Sequence, residues 1–239
     1  AALDPPGLIA GGDGAIARYT GYGFSDAFSE VDFFAPAAVD AMFAGVWQGA
    51  IDAGVFPGML DFGELSFVPQ PATSYFPSFA SPRRTVDELR NVYGVAYGEG
   101  LVTRAARRVG SRLIGMARPG GPGSQRFGWT WTADSTPAWR DPGGLGGLRE
   151  HLRAVLGLAM SGFSTIGFDI GGWAGVASDE LYLRWFQAGM YLPYASAHGE
   201  GDHTVFARPS PIIDLCRAAL ERRYRLLPYL YSLHIDANR

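Results

Sequence analysis

The chain has 239 residues, 47% of them hydrophobic, and a formal net charge of −3. This length and apolar content can fill one large domain or two small ones. The slightly acidic balance excludes the basic surface that nucleic acid or an anionic membrane requires, and the absence of lysine excludes Schiff-base, pyridoxal-phosphate and P-loop chemistry.

Short apolar runs alternate with helical segments from about residue 31 onward. Val31–Phe34 reads as a strand end, and Pro36 opens a helix that runs to about Ala53, since proline suits the first helical turn. Gly54–Leu60 is predicted as the next strand. A long loop at Phe67–Pro82 and a helix at Val86–Arg107 follow.

The second half of the chain continues the alternation. Its predicted strands are Arg112–Ala117, Phe127–Thr132, Thr165–Phe168 and Tyr191–Tyr194. Its predicted helices are Leu148–Met160, Glu180–Gly189 and Ile212–Leu233, the last with Pro228 inside it. Strands that alternate with helices of this length favour a parallel sheet with right-handed crossovers. No apolar run is long enough to cross a bilayer, so no membrane contact is predicted.

Five or six strand–helix units fit this pattern, fewer than the eight that close a (β/α)8 barrel. An open doubly wound sheet and an incomplete barrel both agree with that count. Asp61, Asp134 and Asp169 each end an apolar run, and functional groups at several strand ends are typical of a barrel. We therefore predict an α/β fold that is the C-terminal portion of a TIM (β/α)8 barrel. Residues 1–30 are predicted to be an irregular segment and 31–239 the barrel portion, with the first barrel units lying upstream.

Asp61 and Asp134 form a candidate pair of carboxylates at strand ends, which is the arrangement that hydrolysis of a glycosidic bond uses. Each has a structural alternative. Asp61 could cap the turn before Phe62 and Gly63, and Asp134 could be the N-cap of a short helix that starts at Ser135. We predict the catalytic role for both.

Four ordered segments resemble signatures of glycoside hydrolase family 31, the α-glucosidase family and its relatives. They are Asp61-Phe62-Gly63-Glu64; Gln125-Arg126 with Trp131-Thr132-Ala133-Asp134; Ser161-Gly162-Phe163 with Phe168-Asp169-Ile170-Gly171-Gly172; and the helical segment Arg223–Tyr231. The resemblance runs from about Val31 to Leu233. It implies the family's barrel, a retaining mechanism, a carbohydrate partner and no cofactor.

The resemblance implies that Asp61 is the nucleophile and Asp134 the general acid/base. It also implies that four residues hold the sugar in the subsite being cleaved: Arg126, Trp131, Asp169 and His198. Two further candidates rest on their own chemistry. Glu64 is either a hydrogen-bonding group of the pocket or a support for its loop. Trp173, like Trp131, is either a stacking face for a pyranose ring or a core aromatic.

Three departures from the family pattern bear on the substrate. The Asp-Phe-Gly-Glu run at Asp61 looks more like the branch that includes sulfoquinovosidases, Ala133 stands where glycine is usual, and Ser196 precedes His198 where arginine is frequent. We predict α-glucosides as substrates, with sulfoquinovosides or other α-glycosides as the alternative. A non-catalytic carbohydrate-binding fragment is the competing class.

The segment His198–His203 contains two histidines and two acids, but their spacing fits no standard zinc arrangement. We therefore predict no metal site. The single cysteine, Cys216, has no intrachain partner for a disulfide, and its helical, partly apolar setting favours a buried thiol.

Overall fold

The computed structural model describes residues 7–11, 15–20, 26–56, 58–66, 68, 72–75 and 83–237. The chain divides into two compact units, Ala1–Gly128 and Trp129–Arg239. Each unit has its own cluster of buried hydrophobic side chains. Over the ranges that are described, no helix has the length and apolar character needed to cross a membrane.

The described strands of the first unit are β1 (Ala10–Gly11), β2 (Met59–Leu60), β3 (Ala72–Tyr75), β4 (Arg83–Thr85) and β5 (Gly115–Ala117). They form an antiparallel sheet and a parallel pair. Strands β1, β3 and β4 form an antiparallel sheet in the order β1-β3-β4. Strands β2 and β5 pair in parallel, with Leu60 opposite Ala117. Both of these residues are buried, so the parallel pair lies in the core.

Two predicted helical segments of the first unit are confirmed. The first consists of α1 (Pro36–Met42), a π-helical turn (Phe43–Trp47) and α2 (Gln48–Asp52). The second consists of α3 (Val86–Gly98), a π-helical turn (Glu99–Thr103) and α4 (Arg104–Val109). A capping box starts α3: the Thr85 hydroxyl accepts from the Glu88 backbone N–H at 3.3 Å, and the Glu88 carboxylate accepts from the Thr85 N–H at 2.8 Å.

Several predicted strand and loop bounds in this unit are wrong. The predicted strand Gly54–Leu60 is reduced to β2 because Gly54, at φ +82°, terminates the preceding helix, and its N–H donates to the Ile51 carbonyl. The predicted strand Arg112–Ala117 begins only at Gly115, and part of the predicted loop Phe67–Pro82 is strand β3. Val31–Phe34 is a single antiparallel bridge followed by a turn.

The second unit has the predicted alternation of parallel strands and helices. Its elements are β6 (Gly128–Trp131), α5 (Leu148–Met160), β7 (Ile166–Asp169), α6 (Asp179–Gly189), β8 (Tyr194–Ser196) and α7 (Ile212–Ala237). Strand β7 pairs in parallel with β6 on one side and with β8 on the other. This arrangement places the C-terminal ends of the three strands at one edge of the sheet, which is where the loops of an α/β protein carry function.

The core of the second unit lies between β7 and the helices. Phe168 on β7 and Trp185 on α6 are fully buried and meet edge to face, with ring centroids 6.0 Å apart. Cys216 on α7 is fully buried, as predicted. The predicted strand Tyr191–Tyr194 is wrong in its bounds, because Tyr191 and Leu192 still donate to carbonyls of α6 and the strand begins only at Tyr194.

Candidate functional site

Asp61 is the first residue after β2, and the backbone turns sharply behind it. Phe62 has φ +58° and Leu65 has φ +55°, both in the left-handed region that costs a residue with a β-carbon about 1 kcal/mol or more. The Phe62 N–H donates to Asp61 Oδ1 at 2.9 Å. The turn therefore fixes the orientation of the Asp61 carboxylate.

Arg118 is the residue that organises this end of the first unit. Its Nη1 lies 3.0 Å from Asp61 Oδ1, its Nε lies 2.6 Å from Glu64 Oε1, and its Nη2 donates to Glu64 Oε2 at 3.1 Å. The guanidinium also lies over the Phe62 ring, 4.6 Å from the ring centroid. The Arg118 side chain is only 9% exposed, so its charge is weakly screened and its contacts with the two carboxylates are charge-assisted.

Arg118 was not among the site residues predicted from the sequence, although the strand register contains a signal for it. Leu60 is opposite Ala117 in the parallel pair, so the next residue on each strand, Asp61 and Arg118, leave the sheet side by side. An arginine that directly follows the strand next to a predicted catalytic strand is therefore a candidate partner. The pairing of Glu64 with Arg118 also shows that the Glu64 carboxylate takes part in the same cluster as Asp61.

A third carboxyl group of the first unit, Glu30, has an unusual protonation equilibrium. Burial raises the pKa of Glu30 from 4.5 to about 7, a contact with Tyr19 opposes this, and the negative charge of Glu64 raises the pKa further. Burial also raises the pKa of Tyr97 far above its usual range, with Glu30, Asp61 and Glu64 contributing. The Tyr97 hydroxyl donates to the Asp61 backbone carbonyl at 3.5 Å.

The raised pKa of Glu30 predicts a specific pH dependence of stability. An acid that holds its proton more tightly in the folded state destabilises the fold as pH rises from about 4.5 to about 7. Glu30→Gln should therefore match the wild type at pH 4 and exceed its free energy of unfolding by roughly 2 kcal/mol at pH 8. Urea denaturation at both pH values measures this. Exposed Glu221→Gln is the control, and an equal gain for Glu30→Gln at both pH values would contradict the assignment.

Arg126, predicted to bind the sugar, lies in a different cluster of the same unit. Its side chain is 58% exposed, and its Nη2 lies 3.1 Å from Glu99 Oε2. The same glutamate accepts from Arg107 at 3.2 Å and from the Thr103 hydroxyl at 3.2 Å. The structure thus assigns Arg126 a carboxylate partner, Glu99, that sequence analysis did not identify.

Asp134 follows β6 in the second unit, three residues after the buried Trp131. The residue between Thr132 and Asp134 is Ala133, at φ +69°. No helix starts at Ser135: the chain continues through bends and turns to α5 at Leu148, so the capping alternative for Asp134 is wrong. Asp134 is a partly buried residue.

Ala133 provides a stability prediction. An alanine with left-handed backbone costs about 1–2 kcal/mol, whereas glycine adopts this conformation freely at a smaller entropic cost. Ala133→Gly should therefore raise the free energy of unfolding by about 0.5–1 kcal/mol. Ala174→Gly, at a described position without a positive φ, is the matched control and should lower it. Thermal denaturation measures the stability of both variants. A loss of stability in Ala133→Gly would contradict the backbone strain inferred at Ala133.

The loops after β6, β7 and β8 are tied together within the second unit. Asp169 ends β7 and is 2% exposed, and the Ile170 N–H donates to the Ser196 carbonyl of β8 at 2.7 Å. The Ser135 carbonyl, next to Asp134, accepts from the Trp173 N–H at 2.8 Å. At Gly172 a β-carbon would lie 2.7 Å from the Pro137 nitrogen, so only glycine allows the two loops to meet.

The remaining predicted binding residues lie at or near these loops. Trp173 is partly buried, and its carbonyl accepts from the Glu200 N–H at 2.7 Å. His198, two residues after β8, is exposed. The second histidine of that segment, His203, is buried, with Nδ1 3.2 Å from the Ile170 carbonyl and Nε2 3.0 Å from the Glu200 carbonyl. Its ring therefore supports the loop that begins at Asp169.

Among the described residues, no three acidic, histidine or cysteine side chains converge as metal ligands would. The described residues include three non-glycine residues with positive φ: Phe62, Leu65 and Ala133. All three lie within one residue of Asp61, Glu64 or Asp134. Strained backbone that gathers at predicted catalytic residues is typical of functional sites.

Comparison with known proteins identifies the family. Residues 10–233 match the family model described as "Glycosyl hydrolases family 31 TIM-barrel domain". The chain is 35% identical over 161 residues to a probable glucan 1,3-alpha-glucosidase of Arabidopsis thaliana, an alignment that covers 63% of this chain and 16% of the relative. It is 35% identical over 159 residues to human neutral alpha-glucosidase AB, covering 64% and 16%. The chain thus spans about a sixth of the length of these relatives.

Solved structures give the same fold. A cycloalternan-degrading enzyme from Trueperella pyogenes in complex with isomaltose matches with a TM-score of 0.77 at 23% identity, covering 95% of this chain and 32% of that one. A family 31 sulfoquinovosidase from E. rectale matches with a TM-score of 0.76 at 20% identity, covering 97% and 34%. At these identities the likeness shows the fold alone. It confirms the prediction of an incomplete α/β TIM barrel.

Proposed function

Because the chain belongs to the TIM-barrel domain of glycosyl hydrolases family 31, we propose that it carries the catalytic groups of a retaining hydrolase of α-glycosides. Asp61 is the nucleophile and Asp134 the general acid/base in this proposal. The observation that carries it is the contact between Arg118 and Asp61 at 3.0 Å. A nucleophilic carboxylate must be ionised and held in one orientation, and the guanidinium favours both conditions.

In the first step, an Asp61 carboxylate oxygen attacks the anomeric carbon while Asp134 donates its proton to the departing oxygen. The product of this step is a covalent glycosyl ester of Asp61. In the second step, Asp134 takes a proton from water, and the water oxygen attacks the anomeric carbon and releases Asp61.

The residues around the aspartates support the binding of a sugar ring. Asp169 at the end of β7 offers its carboxylate to ring hydroxyls, and the partly buried Trp173 offers an aromatic face to the apolar face of a pyranose. Trp131, which ends β6 next to the segment of Asp134, belongs to the proposed set although it is buried. His198, near the end of β8, is exposed and offers a donor or an acceptor at the rim. Glu64 and Arg126 complete the proposed set, each with a charged partner of its own.

We propose a neutral α-hexoside as the substrate, and an α-glucoside first. A sulfonate at C6 needs a cation that no carboxylate already neutralises. Arg118, the ion-pair partner of Asp61, and Arg126, a proposed binding residue, both contact acids at 3.1 Å or less. The names of the curated relatives, α-glucosidases, also support this choice. The resemblance of the Asp-Phe-Gly-Glu run to sulfoquinovosidases makes sulfoquinovoside the alternative substrate.

Hydrolysis of nitrophenyl α-glucoside and nitrophenyl α-sulfoquinovoside by the same preparation tests the proposal. The assay uses the 239-residue chain, or a longer chain that contains it, after circular dichroism has shown that it is folded. We expect a higher kcat/KM for the glucoside, with the Asp61→Asn variant as the blank. A strong preference for the sulfonated sugar would overturn the proposal that an α-glucoside is the substrate. Saturable sugar binding by a folded protein without hydrolysis would overturn the catalytic proposal in favour of a carbohydrate-binding role.

A further inference from the structure

A buried histidine of the second unit, His151 on α5, contacts the segment that carries Asp134. Its ring is 4% exposed, its Nδ1 lies 2.5 Å from the Thr132 hydroxyl oxygen, and its Nε2 lies 3.1 Å from the Leu145 carbonyl oxygen. A carbonyl oxygen only accepts hydrogen bonds, so Nε2 must carry a hydrogen. In the neutral ring Nδ1 then carries a lone pair instead of a hydrogen, and the Thr132 hydroxyl donates a hydrogen bond to it.

The surroundings of His151 favour this neutral form. Burial lowers the pKa of His151, while the Leu145 carbonyl and the negative charges of Glu150 and Asp134 oppose that shift. The Trp185 ring lies against it, with ring centroids 6.2 Å apart. Gly146, at φ +92°, approaches so closely that a β-carbon there would lie 3.1 Å from Nε2. The loop before α5 therefore closes directly on the ring.

Thr132 connects this ring to the strained turn. Its backbone N–H donates to the Gly167 carbonyl at 3.1 Å, and its side chain is held by His151. The next residue is Ala133 at φ +69°, and Asp134 follows. With Thr132 fixed by β7 on the backbone side and by α5 on the side-chain side, the position from which Asp134 leaves the strand is fixed as well.

We propose that His151 is a positioning residue for Asp134 that acts through the Thr132 hydroxyl. The inference rests on the proposed role of Asp134 as general acid/base. A buried apolar residue would fill the same space without supplying either the acceptor for Thr132 or the donor for Leu145.

Two substitutions of His151 separate the two hydrogen bonds. Asparagine offers an acceptor near the place of Nδ1, whereas glutamine offers a donor near the place of Nε2. His151→Gln and Thr132→Val should lower kcat/KM about tenfold on glycosides with alkyl leaving groups and less than about twofold on dinitrophenyl glycosides. The kcat/KM value reports the glycosylation step, in which Asp134 donates its proton. His151→Asn should stay within about threefold of the wild type on both substrate classes. The double variant Thr132→Val/His151→Gln should be no slower than the slower single variant.

Val155→Ala is the matched control, because Val155 is buried on the same helix, four residues further on. Val155→Ala should destabilise the fold and change the rates on the two substrate classes by the same factor. Equal losses on both substrate classes in His151→Gln, or the same leaving-group dependence in Val155→Ala, would overturn the positioning role.

Nitrogen NMR of the 239-residue chain gives a readout that does not depend on activity. We expect one protonated and one lone-pair ring nitrogen for His151 at neutral pH, with the Nδ1 resonance shifted in Thr132→Val. Two protonated nitrogens, or no shift, would overturn the inference. If the wild type hydrolyses neither substrate class while the nitrogen spectra are as expected, the proposed function fails and the contact between His151 and Thr132 stands.

Discussion

Asp61→Asn is expected to lower kcat on an aryl α-glucoside by on the order of 10⁴-fold or more, because the amide cannot form the covalent glycosyl ester. Added azide should yield at most the β-glycosyl azide, since attack by azide without an enzyme nucleophile inverts the anomeric centre once. A rate assay with product analysis by proton NMR measures both effects. A variant that still gave the α-product at an appreciable rate would exclude Asp61 as the nucleophile.

The control for this variant must account for Arg118. Asp61→Asn removes an acidic partner of a guanidinium that is only 9% exposed, and that change alone disturbs the site. Glu64→Gln removes another acidic partner of the same guanidinium and is the matched control. It should cost less than about a hundredfold in kcat, since it leaves the nucleophile in place. If the two variants lost activity equally, the ion-pair cluster rather than nucleophilic attack would explain the loss.

Asp134→Ala is expected to show the second large effect, and that effect should depend on the leaving group. Substrates with alkyl leaving groups need protonation, so kcat should fall by about 10²–10⁴-fold, whereas dinitrophenyl glycosides should lose far less in the glycosylation step. Azide should accelerate turnover of the activated substrate and give the α-glycosyl azide, because the Asp61 ester still forms first.

Asp141→Ala serves as the control for Asp134→Ala. Asp141 lies in the same loop and accepts from the Thr136 hydroxyl at 2.6 Å, so its removal loosens the loop and deletes one negative charge. Its effect should be the same on activated and unactivated substrates. If Asp134→Ala behaved in the same uniform way, Asp134 would have a structural role and the acid/base assignment would be lost.

The sequence patterns predicted the fold where the determinants are local. Pro36 and the Thr85–Glu88 capping box mark helix starts within a few residues, and the alternation of apolar runs with helices predicted the parallel strands. Strand starts were less predictable. Gly54 at φ +82° ends a helix within a segment that reads as strand, and the positive φ is not visible in the sequence.

The candidate site was predictable in the residues that end strands and not in the residues that support them. Asp61, Asp134 and Asp169 stand out because a carboxylate follows an apolar run. The contact of Arg118 with Asp61 depends on the register between β2 and β5. The contact of His151 with Thr132 depends on how α5 packs beside β6. Both contacts join residues far apart in the sequence, so no pattern within a single segment indicates them.

Trapping the glycosyl ester tests the central claim most directly. A 5-fluoro-α-glucosyl fluoride reacts with a retaining α-glucosidase to form an ester that hydrolyses slowly, and peptide mass spectrometry locates the sugar. We expect one label per chain, on Asp61, in the peptide that contains Gly58–Glu64. A label on any other residue, or release of β-glucose from an α-glucoside without any trapped ester, would contradict it.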